Sequence, residues 1–299
     1  MTQSFSTAET IDDALAALAS GARPVAGGTD LVVGARQGKA PLPDSICAIH
    51  QLAELHGIDV GGDTLQMGAL TTHEKIAEHA LVLERLTALA DASAIVGSHA
   101  TRVQGTVGGN VMNASPAMEL GGPLMCLGGA VTLRSQNGER SVAVADLFTG
   151  PGRTIANADE LMTAVTVPLP PAASGSCYAR LEYRQQMEIA VVGATAFVSF
   201  AGDRIETAKV AITALAPTIR LVPAAEAALV GSDGGREAAE LAAQAAADAS
   251  EPISDVRASE AYRRAMAAVL TRRAIEAAVS RARGDAVPVP ASRYLHAAA

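Results

Sequence analysis

The glycine-rich segment from residue 104 to residue 120, QGTVGGNVMNASPAMEL, constrains this chain more than any other stretch. It places Gly105, Gly108 and Gly109 close together and contains no lysine or arginine. Glycine suits a backbone that adopts positive φ or approaches a bulky group, and successive exposed N–H groups form a concavity that binds anions. We therefore expect a loop whose amides hold a phosphate. An ordinary glycine-rich turn is the alternative.

A second small-residue turn, AGGTD at residues 26–30, lies near the N-terminus. It follows a short apolar strand candidate at Val25 and leads into the apolar run that begins at Leu31. Its N–H groups and the Thr29 hydroxyl can meet another phosphate. Two uncharged amide cradles, about 75 residues apart between Asp30 and Gly105, suit a pyrophosphate better than a single phosphate. Two structural turns of an α/β domain remain the alternative.

Composition narrows the class of protein. The 299 residues suffice for two domains, because one hydrophobic core seldom grows beyond about 250–300 residues. A net charge of −8 argues against nucleic acid or an anionic membrane as the main partner. No apolar run approaches the roughly 18 residues of a membrane helix, and the first residues lack the pattern of a signal peptide. We therefore expect no membrane insertion and a cytoplasmic location.

The residues that could bind a metal or carry acid–base chemistry form no pattern. Cys47, Cys126 and Cys177 are far apart, which predicts reduced thiols, and they are too few for an iron–sulfur cluster with four cysteine ligands. The histidines show no metal-binding spacing, and neither a P-loop nor a GxSxG elbow is present. We predict neither a metal site nor a catalytic residue in this chain.

The order of predicted elements divides the chain into two parts. Strand and helix patterns alternate in the first third, and Asn137-Gly138 predicts a hairpin. The proline cluster at residues 168–171, with residues 172–175 behind it, predicts a domain boundary. Three antiparallel strands are then predicted at residues 176–185, 190–201 and 205–215, followed by helices at residues 224–229, 236–249 and 258–282. Four arginines at the last helix are predicted to form a solvated face, with contact to another subunit as the alternative: Arg272, Arg273, Arg281 and Arg283.

These motifs resemble the FAD-binding subunits of the molybdenum hydroxylases, the group of carbon monoxide dehydrogenase and xanthine dehydrogenase. The resemblance rests on AGGTDL and GTVGGNVMNASPAMEL and covers nearly the whole chain in the order of the family, through SDVRAS and YR at residues 254–263. It implies an α+β fold. A two-part FAD-binding domain of α/β and antiparallel strands would occupy residues 1–175. A C-terminal domain of a three-stranded antiparallel sheet plus helices would occupy residues 176–299.

The resemblance also implies which residues contact FAD. The first motif would hold the pyrophosphate through Val25, Ala26, Gly27, Gly28, Thr29, Asp30 and Leu31. The second would pack against the pyrophosphate and ribityl chain through Thr106, Val107, Gly108, Gly109, Asn110 and Asn113. Glu119, where the family usually has Asp, would contact the ribityl chain, and Leu161, Met162 and Ile189 would pack on the isoalloxazine. Arg180, usually Lys in the family, would lie near the pyrimidine edge. Loop capping by the asparagines and a core position for Ile189 are the alternatives.

The function implied by the resemblance is that of an FAD-carrying electron-transfer subunit of a molybdenum-dependent oxidoreductase. The expected partners are a small subunit with [2Fe–2S] clusters and a large subunit with molybdopterin cytosine dinucleotide, assembled as a dimer of heterotrimers. Electrons would pass from the clusters to FAD and then to an external acceptor. Two other hypotheses stay open, a self-contained flavin-dependent oxidase or reductase and a flavin-free assembly module.

Overall fold

The computed structural model describes residues 4–38 and 40–297. Its strands are β1 (Ser4–Thr7), β2 (Arg23–Val25), β3 (Ser45–Ala48), β4 (Ile58–Gly61), β5 (Thr64–Gly68), β6 (Ala130–Ser135), β7 (Gly138–Ala143), β8 (Phe148–Gly150), β9 (Arg153–Thr154), β10 (Leu161–Pro168), β11 (Ser174–Leu181), β12 (Val192–Ala201), β13 (Arg204–Thr213) and β14 (Arg220–Leu221). Its helices are α1 (Ile11–Ala19), α2 (Thr29–Arg36), α3 (His73–Glu78), α4 (Ala80–Arg85), α5 (Thr87–Ser93), α6 (His99–Arg102), α7 (Val107–Met112), α8 (Gly121–Cys126), α9 (Val144–Leu147), α10 (Pro223–Leu229), α11 (Arg236–Asp248), α12 (Glu260–Ala282) and α13 (Ala291–Ala297).

The N-terminal part is a small parallel sheet with the strand order β1-β3-β2. Helix α1 begins where the sequence predicts, because Thr10 and Asp13 form a capping box. The Asp13 N–H donates to the Thr10 hydroxyl, and the Thr10 N–H donates to the Asp13 carboxylate. Leu15 and Leu18 are buried on the face that this amphipathic helix turns inward. Strand β2 then ends at Val25, so the AGGTD turn emerges from the carboxyl end of a parallel strand.

The second part is a five-stranded sheet with the order β4-β5-β10-β6-β7, in which the neighbouring strands run antiparallel. The hairpin predicted at Asn137-Gly138 joins β6 to β7, with Ser135 paired to Gly138. Alternate residues such as Leu65, Met67 and Val165 are fully buried, and they join one core with residues of α3, α5, α7 and α8. This core places α7, which carries the second glycine motif, beside the central strand β10.

The C-terminal part is an antiparallel sheet with the order β11-β12-β13-β14. The three predicted strands are present, and the structure adds a short fourth, β14, which pairs with Ala211 and Ile212. Successive side chains of β11 point to opposite faces, so Cys177 and Ala179 pack in a core with α11 and α12, whereas Tyr178 packs in the core of the preceding part. The prediction of an α+β fold is thus confirmed. The predicted boundary after residue 175 stays a prediction and falls near the start of β11.

A buried ion pair joins α5 to the far end of α12. Arg281 Nη1 donates to Asp91 Oδ2 at 2.6 Å, and Arg281 Nη2 donates to Asp91 Oδ1 at 3.0 Å. The two side chains are only 6% and 0% exposed. The backbone N–H groups of Tyr178 and Ala291 also donate to Asp91. The prediction of a solvated arginine face is therefore wrong for Arg281, because a carboxylate 190 positions away draws its guanidinium inward.

Residues 4–38 and 40–297 contain neither a helix able to cross a membrane nor a cluster of metal-ligand side chains. In those residues no helix is both long and apolar enough to cross a membrane. The same part of the chain contains no group of three His, Cys, Asp or Glu side chains able to hold a metal ion. Cys47, Cys126 and Cys177 are free and buried.

Candidate functional site

The fold brings the two glycine motifs into direct backbone contact. A β-carbon built on Gly27 would lie 1.9 Å from the Gln104 carbonyl oxygen, so no side chain fits there. A β-carbon built on Gly105 would lie 3.6 Å from Thr29 Oγ1. A cavity of about 330 Å³ opens beside this contact and is lined by Ala26, Gly27, Gln104 and Thr106 among others. The motifs are thus one site in space, although they are far apart in sequence.

The first motif presents unpaired amides. Gly28 adopts φ +68° and precedes the first turn of α2, a conformation that glycine reaches without strain. Among the described residues, no acceptor pairs with the N–H groups of Thr29, Asp30 or Leu31, whereas the next N–H, of Val32, donates to Gly28 O. The first N–H groups of a helix are its anion-binding end. This turn can therefore hold a phosphate through its backbone, as the sequence predicts.

The second motif differs from its prediction because it is a helix rather than an open loop. Thr106 caps α7 by accepting the N–H of Gly109 at 3.0 Å. The N–H of Val107 donates to Thr71 O and that of Gly108 donates to Ala69 O, both at 2.9 Å. These amides are engaged within the protein, so the predicted amide cradle is wrong for this motif. Its contribution to a ligand must come from side chains and from close approach.

One side chain of the second motif fits a polar ligand. Asn110 Oδ1 is buried and has no hydrogen-bond partner within the described residues. A buried acceptor without a donor is unfavourable, and such atoms are commonly completed by a ligand or water. Gly109 and Asn113 are exposed on either side of it along the chain. The unpaired amides of α2 and this unpaired oxygen together fit a group with a charged phosphate end and hydroxyl donors, as FAD has.

A buried triad of charges lies at Glu119. Arg180 Nη1 donates to Glu119 Oε1 at 2.8 Å, and Arg180 Nε donates to Glu182 Oε2 at 2.6 Å. The side chains are 0% exposed for Arg180, 10% for Glu119 and 7% for Glu182. Burial raises the pKa of Glu119, the Arg180 charge opposes that shift, and the nearby Asp30 charge adds to it. The Asp30 carboxylate of the first motif therefore acts electrostatically on Glu119.

The pKa of Arg180 is also raised. Burial alone would lower it, but the Glu119 and Glu182 carboxylates outweigh burial. Arg180 is thus a fixed cation whose charge two carboxylates offset. The prediction that this cation lies near the reacting ring is untested, yet its net electrostatic effect must be smaller than that of an isolated arginine.

The remaining predicted residues lie in two different environments. Leu161 and Met162, at the start of β10, are each 3% exposed and pack in different cores. Ile189 is 43% exposed. It lines an apolar cleft of about 300 Å³ between the Ser115 turn and the C-terminal part. This cleft and the cavity beside Gly27 share no lining residue.

Sequence reasoning missed Glu182 and Tyr178, which surround Arg180. Both lie two positions from Arg180, and residues at that spacing point to the same face of a strand. Strand periodicity could have found them once Arg180 was chosen. His73 was also missed. Its backbone N–H donates to Gly105 O. Burial lowers the pKa of its imidazole to about 4, and the Arg102 charge adds to this effect.

Comparison with known proteins agrees with this geometry. Residues 1–170 match the family described as "FAD binding domain in molybdopterin dehydrogenase", and residues 177–278 match "CO dehydrogenase flavoprotein C-terminal domain". The chain is 31% identical over 269 residues to the carbon monoxide dehydrogenase medium chain of Afipia carboxidovorans, which covers 90% of this chain and 93% of that one.

Solved structures show the same likeness. Carbon monoxide dehydrogenase from Hydrogenophaga pseudoflava, in a form lacking the Mo-pyranopterin moiety, superposes with a TM-score of 0.90 at 29% identity, covering 94% of this chain and 98% of that one. Quinoline 2-oxidoreductase from Pseudomonas putida 86 gives a TM-score of 0.87 at 27% identity, with 94% and 98% covered. The chain therefore belongs to the FAD-binding medium subunits of the molybdenum hydroxylases, a family of oxidoreductases.

Proposed function

We propose that this chain binds one FAD non-covalently and passes electrons from the [2Fe–2S] clusters of a small partner subunit to an external acceptor. A large partner subunit with molybdopterin cytosine dinucleotide would hydroxylate the substrate, in a dimer of heterotrimers located in the cytoplasm. The observation that carries the proposal is that each glycine motif offers an unpartnered polar group, the amides of Thr29, Asp30 and Leu31 in the first and the buried Asn110 Oδ1 in the second. Family membership supports the partners.

The proposed division of labour follows the geometry. The N-terminus of α2, with the Thr29 hydroxyl, would hold the pyrophosphate without a lysine, because several N–H dipoles can share two charges. Asn110 would complete its hydrogen bonds with the ribityl chain. The Glu119 carboxylate is held by Arg180, whose Nη1 lies 2.8 Å from Oε1, and would accept a hydrogen bond from a ribityl hydroxyl. Bound FAD would supply the redox chemistry, since a flavin exchanges electrons singly or in pairs.

The other predicted contacts are proposed from the family resemblance. Val25, Ala26, Gly27 and Gly28 would pass close to the pyrophosphate, and Thr106, Val107, Gly108 and Gly109 would form the wall opposite. Leu161, Met162 and Ile189 would border the ring, with Ile189 alone among the three substantially exposed. Arg180 would act on the ring through its charge.

The test compares the isolated chain with the assembled complex. The purified chain should carry FAD that acid precipitation releases completely, since neither glycine motif contains a cysteine or histidine to bond it. It should accept electrons from an artificial donor, yet oxidise no organic substrate until the two partner subunits are added. A Gly27→Ala chain is expected to lack flavin, because its β-carbon would lie 1.9 Å from Gln104 O, and serves as the control.

Two outcomes would contradict the proposal. Substrate oxidation by the purified single chain would favour the self-contained flavin oxidase or reductase. A chain that carries no flavin and gains none from added FAD would favour the assembly module.

A further inference from the structure

Two carboxylates bind the single guanidinium of Arg180. Glu119 and Glu182 both accept from it, so this triad of ionised groups carries one net negative charge. Arg180 is 0% exposed, and the two glutamates that it binds are largely buried. Charges held away from water interact strongly because little solvent screens them. Any further negative charge brought to this place must be compensated nearby.

The tyrosine hydroxyl of Tyr178, on the same strand as Arg180, is available for a hydrogen bond. Tyr178 is fully buried, and its hydroxyl has no hydrogen-bond partner within the described residues. It precedes Arg180 by two positions on the same strand face, and a β-carbon built on Gly193, which pairs with Arg180 across the sheet, would lie 2.9 Å from that hydroxyl. Burial raises the pKa of Tyr178, and the Glu119 charge raises it further. Tyr178 thus shares a strand face with Arg180, the residue that binds Glu119.

The charged and titratable groups around the Glu119–Arg180 pair come from two elements and one adjoining residue. Strand β11 contains Arg180 and Tyr178, and Glu182, which binds Arg180, follows this strand by one residue. The first turn of α2 supplies Asp30. Helix α8, which begins two residues after Glu119, has the sequence GGPLMC and carries no charge.

We infer that Glu119 takes up a proton when the flavin of this subunit is reduced, and that Tyr178 positions it. The inference rests on the proposed function. For each electron pair delivered, by the partner clusters in the complex or by dithionite in the test, one solvent proton binds the Glu119 carboxylate, and no covalent bond within the protein breaks. Glu119 suits this role because its side chain is 10% exposed, so a proton can reach it. Before reduction its second oxygen, Oε2, can accept a hydrogen bond from the Tyr178 hydroxyl, which holds the carboxylate in place.

The test is the pH dependence of the flavin midpoint potential in the full chain loaded with FAD. In the wild type one extra proton per electron pair changes the reduction equilibrium tenfold per pH unit, which is about 30 mV. Glu119→Gln should remove that part of the slope. The matched control is Glu226→Gln, because Glu226 is similarly buried, at 14%, and also forms an ion pair, with Lys209 at 2.9 Å. Its slope should equal that of the wild type.

Tyr178→Phe tests positioning. It should keep the extra slope but move the pH at which the slope changes to a higher value, because the ionised carboxylate loses a hydroxyl donor. A purely structural role for Tyr178 would leave that pH unchanged, and this result would overturn the positioning part of the inference.

A second measurement covers a Glu119→Gln chain that fails to fold or to bind FAD. Reduced-minus-oxidised infrared spectra of the wild type should show a new protonated carboxyl signal that shifts in D2O. If this signal is absent, or if Glu119→Gln binds FAD and keeps the wild-type slope, the inference is wrong while the proposed function stands. A wild-type chain that binds no FAD, or whose FAD accepts no electrons, would instead refute the proposed function.

Discussion

At the scale of single residues, the glycines of the site serve two different purposes. Gly28 is required by its positive φ, whereas Gly27 and Gly108 are required by close approach. A β-carbon on Gly108 would lie 2.7 Å from Ala69 O, and one on Gly27 would lie 1.9 Å from Gln104 O. Both obstacles are backbone atoms, which cannot move aside as a flexible side chain can.

Gly27→Ala should abolish FAD binding and lower the free energy of unfolding by about 1–3 kcal/mol, because the two motifs must separate. The control is Gly34→Ala in α2, where an added β-carbon meets nothing within 4 Å. That change should leave flavin content unchanged and stabilise the helix by up to about 1 kcal/mol. Flavin content and urea unfolding would measure both. A Gly27→Ala chain with normal FAD and normal stability would contradict the packing argument.

At the scale of elements, tertiary contacts stabilise α7 although its own sequence disfavours a helix. Val-Gly-Gly-Asn is a poor helical sequence, since glycine costs about 1 kcal/mol per residue in a helix interior. The helix forms because Thr106 caps it, and because Thr71 O and Ala69 O accept the N–H groups of Val107 and Gly108. By contrast, α12 is rich in alanine, leucine and arginine, which favour a helix, and its predicted range agrees with Glu260–Ala282.

Thr106→Ala should cost about 1 kcal/mol of stability through loss of the cap and should weaken FAD binding several-fold, because α7 carries Asn110. Thr106→Ser should restore both properties, since serine keeps the hydroxyl. Thr10→Ala is the matched control: it removes a cap of the same kind from α1 and should cost similar stability with unchanged FAD affinity. Thermal melts and flavin titration would measure the pair. Equal FAD affinity in all three variants would show that α7 does not contribute to FAD binding.

At the scale of the whole molecule, the C-terminal sheet is shared between two cores. Tyr178 on one face of β11 belongs to the core of the preceding part, and Cys177 on the other belongs to the core beneath α12. The Asp91–Arg281 pair then fixes α12 and the segment at Val287 and Pro288 to α5, since Arg281 also donates to both of their carbonyl oxygens. The second part and the C-terminal part of the chain are therefore expected to unfold together.

Arg281→Met should lower the free energy of unfolding by about 3–5 kcal/mol, because it leaves Asp91 charged, buried and without its cation. The control lies on the same helix: Arg272 pairs with Glu276 at 2.6 Å, with side chains 34% and 41% exposed. Arg272→Met should cost about 0.3–0.5 kcal/mol. Urea unfolding would measure both variants. Similar losses in the two would show that the buried pair does not join the parts.

The sequence by itself determined the family and the elements whose signals are local. These include the Thr10 cap, the Asn137-Gly138 hairpin, the three long C-terminal strands and the long final helix, because caps, turns and periodicity depend on residues a few positions apart. The exposed amides of the AGGTD turn belong with them, since they depend on the local sequence; that they hold a pyrophosphate stays a prediction.

Only the tertiary structure decided which polar groups are already occupied. The amides of Val107 and Gly108 find acceptors on another segment, Arg180 binds Glu119 across 61 positions, and Arg281 binds Asp91 across 190. No local pattern encodes such pairs, since a buried charge or amide takes whichever partner the packed chain brings to it. For the same reason the short strand β14 became visible only through its pairing with β13.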